Sequence, residues 1–416
     1  MFFTITVATY NRSNLLKRCL NSIKKQTFND YEVIILDDCS SDDTPIVVQE
    51  YTNDKRFRYI RFEKNLGFAN KTFYEAQKKG CFNGKYIFEC ADDDFLNEEY
   101  FLENVYTAIK DEEVDVVLFD VGWCYFDDIV MKCNIDTLPK LFHYNDLNEA
   151  QKSIVTNKMM NILKKEWIEQ YDFFNEETQE CKDVYFEYSN ELIFKYARLG
   201  YVPHITYIGG ISPNARAKYI DLYQWIVTMG MYFDGAKQEE LVRQKLYDIF
   251  MSPAVCQNVL VNWHGKEVAD ILYSLVGKKK YSKYLRDIAK IYSECFQDEL
   301  NREYDNFNRL LLNEKETLEI IDNSNNFVVY SDGFMSHYVQ EYLIRKNKKI
   351  LFVADDYKEG FLGFQEIIKK KQEIDVVFIA TSNIIYIRDM LLKLSPICNE
   401  VNILTLILRD DTWRMP

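Results

Sequence analysis

The chain has 416 residues, 47% of them hydrophobic and 28% charged, with a formal net charge of −14. A length of this order accommodates two or three domains, each with its own core. So acidic a surface repels phosphate backbones and excludes nucleic acid as the main partner, and no apolar run reaches the ~18 residues that cross a bilayer.

The first residues, Met1-Phe2-Phe3-Thr4-Ile5-Thr6-Val7, lack a basic leader segment and read as a first strand, not as a signal peptide. Further strands are predicted at 31–37, 58–62, 86–90 and 114–120 after the first at 4–9, each a short run rich in Ile, Val, Phe or Tyr. Between the first two strands, Leu15, Leu16, Cys19, Leu20 and Ile23 fall on one face of a helix running from Ser13 to Lys25. Thr44 is predicted to N-cap the next helix, with Pro45 in its first position. Alternation of this kind predicts an α/β domain with a mainly parallel sheet covered on both faces. The ten cysteines are scattered without a CxxC pair, several within apolar runs, which predicts free thiols in a reducing, cytoplasmic compartment. With four histidines, no zinc spacing is present.

Ligands of parallel sheets bind beyond the carboxyl ends of the strands. Three polar clusters fall there: Thr9-Tyr10-Asn11-Arg12, Asp37-Asp38, and Ala91-Asp92-Asp93-Asp94. The last is the costliest, because carboxylates packed at a strand end repel one another and lose hydration. A divalent cation with oxygen ligands relieves that cost and can hold a diphosphate.

From 217 to 322 the pattern turns helical, with stretches at Tyr219–Tyr232, Lys237–Phe250, Lys266–Leu275 and Tyr281–Asn308, and Asp322-Asn323-Ser324-Asn325-Asn326 reads as a linker. Strands at 327–330, 349–354, 375–380 and 400–405 then alternate with helices at 335–346, 361–371 and 384–394, predicting a small Rossmann-like βαβ domain. The predicted organisation is therefore 1–216, 217–322 and 323–416. The turn Tyr330-Ser331-Asp332-Gly333-Phe334-Met335-Ser336 lies where a dinucleotide fingerprint would, but it holds one glycine. Asp355-Asp356 ends the next strand, where an acid could meet a ribose. A structural or protein-contact role is favoured over a second nucleotide site.

The N-terminal blocks resemble a family 2 glycosyltransferase of the GT-A fold, of bacterial surface-polysaccharide type. They are Thr6-Val7-Ala8-Thr9-Tyr10-Asn11-Arg12, Leu20-Asn21-Ser22-Ile23, Gln26-Thr27-Phe28, Tyr31 to Thr44, Asn65-Leu66-Gly67 and Asp92–Asp94. The resemblance spans about residues 1–210. It implies that Thr9-Tyr10 packs on a nucleotide base and that Asp38 accepts the base N–H. Asp92 and Asp94 take the outer positions of the DXD motif. Asp94 is implied as ligand of Mn2+ or Mg2+, with Asp92 and Asp93 binding ribose or sharing the metal. Where the family often carries an acid, this chain has Ala91. Arg12 reads as a helix-start residue, Lys71 as a solvated helix lysine and His204 as structural or exposed. For the acceptor side, the resemblance implies Asp183 as general base, with Glu180 in reserve and Lys182 where Glu is usual. Ser212-Pro213-Asn214-Ala215-Arg216 is placed as a lid.

The implied activity is inverting transfer of a sugar from a nucleotide-sugar, most simply UDP-linked, to a hydroxyl of a glycan or lipid-linked glycan such as capsule or lipooligosaccharide. It would take place in the cytoplasm, with peripheral contact to the inner face of the plasma membrane left open. A sugar nucleotidyltransferase is the first alternative, but residues 8–16 lack the glycines that cradle a triphosphate. A non-catalytic scaffold or glycan-binding protein of an assembly complex is the second.

Overall fold

The computed structural model describes residues 1–67, 69–126, 129–134, 137–156, 162–171, 193–210, 302 and 306–409. The chain forms two compact units, one of Met1–Cys124 with Lys132–Ile211 and one of Tyr125–Met131 with Ser212–Pro416.

In the first unit the chain runs β1 (Phe3–Thr9), α1 (Ser13–Lys24), β2 (Tyr31–Asp37), α2 (Thr44–Gln49), β3 (Phe57–Arg61), α3 (Ala69–Lys78), β4 (Tyr86–Glu89), β5 (Phe95–Leu96), α4 (Phe101–Ile109) and β6 (Val116–Cys124). After β6 come β7 (Val130–Cys133), whose first two residues are assigned to the second unit, β8 (Leu141–His143), α5 (Glu149–Thr156), β9 (Ile162–Lys164), α6 (Lys165–Gln170) and the long β10 (Arg198–Gly210). The main path of the sheet is β3-β2-β1-β4-β9-β6-β10-β5. β3, β2, β1 and β4 are mutually parallel, and so are β6 and β10. β9 runs antiparallel between β4 and β6, and β5 and β8 are antiparallel to β10.

The strands read as apolar runs because both faces of the sheet are covered. Phe3, Ile5, Val7, Val33 and Ile35 point into one core with Leu16, Cys19, Leu20 and Ile23 of α1. Ile34, Leu36 and Ile87 point into the other with Phe73 and Ala76 of α3. Burying a side chain of this size contributes about 1.5–3 kcal/mol.

The elements predicted for this unit are present with shifts of a residue or two at most ends, but β6 covers Val116–Cys124 where 114–120 is predicted, and the start of α2 differs. Asp43, not Thr44, occupies the N-cap position of α2, so Thr44 is its first residue. The physical reason is Asp42, whose carboxylate accepts from Thr44 N at 3.0 Å and from Ser13 N at 2.9 Å, holding the first turns of α2 and α1 together. Of the predicted apolar face of α1, Leu16, Cys19, Leu20 and Ile23 are buried and Leu15 is half-buried.

The described part of the second unit holds α7 (Glu314–Asn323), β11 (Asn326–Tyr330), α8 (Ser336–Arg345), β12 (Lys349–Ala354), α9 (Phe364–Lys369), β13 (Val376–Ile379), α10 (Ile384–Leu394) and β14 (Asn402–Thr405). Its strands form a parallel sheet in the order β12-β11-β13-β14. The predicted linker shrinks to Ser324-Asn325: α7, started by an Asn313–Glu316 capping box, runs through Asp322 and Asn323, and Asn326 opens β11. The helical stretches from 219 to 301 lie outside the described residues. Among the described residues no helix is long and apolar enough to cross a membrane, and the described cysteines are free thiols.

Candidate active site

The parallel register sets Thr9 beside Asp37 and Thr6 beside Glu89, so the ends of β1, β2 and β4 meet at one edge. Cys90 N bonds to Thr6 O at 2.9 Å, extending the ladder, and the chain then turns with Asp94 N on Ala91 O at 3.1 Å. The turn buries three carboxylates: Asp92, Asp93 and Asp94 are 4%, 7% and 5% exposed. Burial pushes Asp92 up to about 6, raised further by Asp93 and restrained by the Arg12 charge. Burial pushes Asp94 up to about 8, aided by the Asp93 charge and restrained by hydrogen bonds from Tyr207 and Gly210.

Each acid has its own partners. Arg12 Nη1 lies 3.0 Å from Asp92 Oδ1 and 3.4 Å from Asp93 Oδ2. Arg12 does stand at the N-cap position of α1, as its place in the sequence suggests, but its side chain is part of the acidic site. Asp94 accepts a short hydrogen bond from the Tyr207 hydroxyl on one oxygen and, on the other, the Gly210 N–H at 2.7 Å. The Tyr207 oxygen in turn accepts from Ala91 N at 3.3 Å. Arg18 Nη2 donates to the Asp93 carbonyl at 2.5 Å, and its guanidinium lies over the Phe95 ring.

Gly210 is where β10 reaches the turn. A Cβ there would lie 2.1 Å from Asp93 O, so only glycine permits the approach.

Tyr207, Gly210 and Arg18 are absent from the sequence reading. Arg18 beside Lys17 looks like an ordinary helix surface pair, and nothing local ties β10 to a turn more than a hundred residues earlier.

At the carboxyl ends of β1 and β2 Thr9 is buried and Tyr10 is 42% exposed. The Thr9 hydroxyl sits by Asp92 and favours its ionised form, without a bond of full hydrogen-bond geometry. Asp38 N bonds to Thr9 O at 2.9 Å, and the Asp38 carboxylate accepts from Leu66 N at 2.6 Å and Gly67 N at 3.0 Å. The Asn65-Leu66-Gly67 loop is thereby tied to the same edge. Asp37 is fully buried and accepts from Ser40 N at 2.8 Å and from the Tyr59 hydroxyl, so it holds the turn together. Lys71 lies half-buried in the first turn of α3. His204 is exposed at the irregularity of β10 between Val202 and Thr206, with a left-handed φ of 64° and its N–H on Asp120 at 3.3 Å. Glu180, Lys182, Asp183 and residues 212–216 lie outside the described residues.

Among the described residues no three His, Cys, Asp or Glu side chains form a ready metal cage. The donor chemistry still suits a hard cation, because the donors are oxygens, buried, with three carboxylates against one paired guanidinium. Ions of the Mg2+ type are commonly held by one or two carboxylates, with substrate phosphates completing the shell.

Residues 4–171 match the model of the glycosyl transferase family 2. The first unit carries a family 2 glycosyltransferase domain.

The relatives share that domain. The poly(ribitol-phosphate) beta-N-acetylglucosaminyltransferase TarS of Staphylococcus aureus is 32% identical over 120 residues, 28% of this chain and 20% of TarS. The putative glycosyltransferase EpsH of Bacillus subtilis is 32% identical over 117 residues, 28% of this chain and 32% of EpsH. Chondroitin synthase of Escherichia coli is 38% identical over 98 residues, 23% of this chain and 14% of that one. The matched part thus spans about a third or less of the length of these relatives. A crystal structure of S. aureus TarS 1-349 in complex with UDP is similar with a TM-score of 0.45 and 18% identity, covering 75% of this chain and 93% of that one.

In the second unit the acids at the strand ends are engaged within the fold. Asp355 accepts the N–H groups of Asp332 (2.8 Å), Tyr357 (2.8 Å) and Lys358 (3.1 Å). Asp356 accepts from the Tyr330 hydroxyl (2.6 Å), Phe364 N (2.8 Å) and Lys393 Nζ (3.0 Å).

Proposed function

We propose that this chain is a metal-dependent inverting glycosyltransferase that moves a sugar from a UDP-sugar to a hydroxyl of a growing bacterial surface glycan, capsule or lipooligosaccharide. The observation that carries the reading is the buried Asp92–Asp94 turn on the same sheet edge as Thr9, Tyr10 and Asp38, within a family 2 domain. That TarS is a poly(ribitol-phosphate) beta-N-acetylglucosaminyltransferase and another relative a chondroitin synthase supports a polymer hydroxyl as acceptor.

In this reading Thr9 and Tyr10 pack against the base, and Asp38 accepts its imide N–H while keeping the 65–67 loop in place. Asp94 and Asp92 hold Mn2+ or Mg2+, with Asp93 at the ribose or sharing the metal. A bound divalent cation supplies neutralisation of the charge that develops on the departing nucleoside diphosphate. Burial is what makes the carboxylates effective, since charge interactions strengthen as water is excluded. Asp183 takes the proton of the attacking acceptor hydroxyl. The hydroxyl oxygen displaces the diphosphate directly, so the anomeric centre inverts and no covalent enzyme adduct forms. The second unit is assigned a structural or protein-contact role, supported by the engagement of Asp355 and Asp356 in holding its loops.

The test is turnover of a panel of UDP-sugars in Mn2+ buffer. Asp94→Ala and Asp183→Ala are each expected to lower turnover by about 10²-fold or more. Wild-type turnover by both variants overturns the assignment.

A further inference from the structure

The three carboxylates at the end of β4 are not held alike. Asp94 takes two uncharged donors, the Tyr207 hydroxyl and the Gly210 N–H. Asp92 and Asp93 instead share a cation, Arg12 Nη1, at 3.0 and 3.4 Å. The Arg12 side chain is 23% exposed, and those of Asp92 and Asp93 are 5% and 10%. Water and salt therefore screen these pairs weakly. A divalent ion held by Asp94 and Asp92 would compete with Arg12 for the Asp92 carboxylate and would repel the guanidinium. Arg12 stands at the N-cap position, outside α1, at φ −137° and ψ 42°, three residues beyond Thr9, and its side chain keeps some exposure to solvent.

We propose that Arg12 is an internal counter-ion, displaced from Asp92 and Asp93 when the divalent cation binds and then free to pair with the donor's diphosphate. The proposal rests on the metal-dependent reading above and adds to it a reason for ordered assembly. The cation alone must break the Arg12 pairs, whereas a diphosphate arriving with it offers the guanidinium a new anion. Metal and nucleotide then bind with positive coupling, and the coupling is reciprocal.

The experiment is Mn2+ binding, followed by electron paramagnetic resonance of the free ion, with and without UDP, for the wild-type chain, Arg12→Gln and Arg12→Lys. Without UDP, Arg12→Gln is expected to bind Mn2+ about tenfold tighter than wild type, because a nearby positive charge is gone. Its gain in Mn2+ affinity on adding UDP is expected to shrink, and Arg12→Lys, which keeps the charge, is expected to stay near wild type without UDP. Mn2+ affinity in Arg12→Gln equal to or weaker than wild type in the absence of UDP overturns the proposal. A second measurement needs no loss of the residue in the protein observed. In wild-type chain labelled with 15N-arginine, Mg2+ with UDP is expected to move the Arg12 guanidinium signal, identified by its absence in Arg12→Lys; an unmoved signal overturns the proposal. If Mn2+ binds neither wild type nor variants even with UDP present, it is the metal-dependent reading itself that fails.

Discussion

Tyr207 and Gly210 decide how Asp94 is presented. The Tyr207 hydroxyl favours the ionised form of a carboxyl that burial pushes up to about 8. Without it the carboxyl titrates higher still, and fewer molecules carry the ionised form at neutral pH. Tyr207→Phe is therefore expected to weaken Mn2+ affinity more at pH 7 than at pH 9.5, measured in the presence of UDP. Equal weakening at both pH values contradicts this account of Tyr207. Gly210→Ala acts on shape: its Cβ meets the Asp93 carbonyl at 2.1 Å, so the turn must move, at a cost of about 1–3 kcal/mol in a denaturant melt. At this scale the sequence showed the acids and hid their holders. Asp92, Asp93 and Asp94 stand together after an apolar run, while Arg12, Arg18, Tyr207 and Gly210 reach the turn from α1 and β10 through contacts that only the folded chain makes.

The elements that bring the site together are tied by a buried polar network at the other end of β1. Glu32, 4% exposed in β2, accepts from Thr4 Oγ1 (2.7 Å), Asn83 N (2.8 Å), Asn83 Nδ2 (3.0 Å) and Arg58 Nη1 (3.2 Å). Burial alone would raise its carboxyl; the hydrogen bonds overcome that and hold it below its ordinary 4.5. A carboxyl lowered on folding adds stability above its unfolded value, and the gain is lost as pH falls through the folded one. Glu32→Gln is expected to lose about 1–3 kcal/mol at pH 7 in urea unfolding, with the gap to wild type narrowing below pH ~4. A gap that is constant with pH would show that charge plays no part. The parallel strands β1, β2 and β4 are legible because burial on both faces leaves a short aromatic and aliphatic run, and the edge strand β3 through Phe57, Tyr59 and Ile60. The three-residue β9 and two-residue β5 carry too few residues for a periodicity, so the antiparallel insertion between β4 and β6 was not. The α2 start differs by one residue because the side chain that accepts its first N–H, that of Thr44, is Asp42, which lies outside the helix.

For the molecule as a whole, the family 2 match covers residues 4–171, and the second unit adds a parallel four-stranded sheet of its own. Its strands and helices alternate in the predicted order because each element is bounded by polar turns, although α9 covers Phe364–Lys369 where 361–371 is predicted. Its lack of a glycine-rich turn agrees with Asp355 and Asp356 being engaged inside the fold. The proposed metal–diphosphate site on Asp92–Asp94 lies in the first unit. Calorimetric titration with UDP, with and without Mn2+, tests it most directly. The account predicts that Mn2+ tightens UDP binding in the wild-type chain and that Asp94→Ala abolishes this gain; no UDP binding, or binding of equal strength with and without Mn2+, would contradict it.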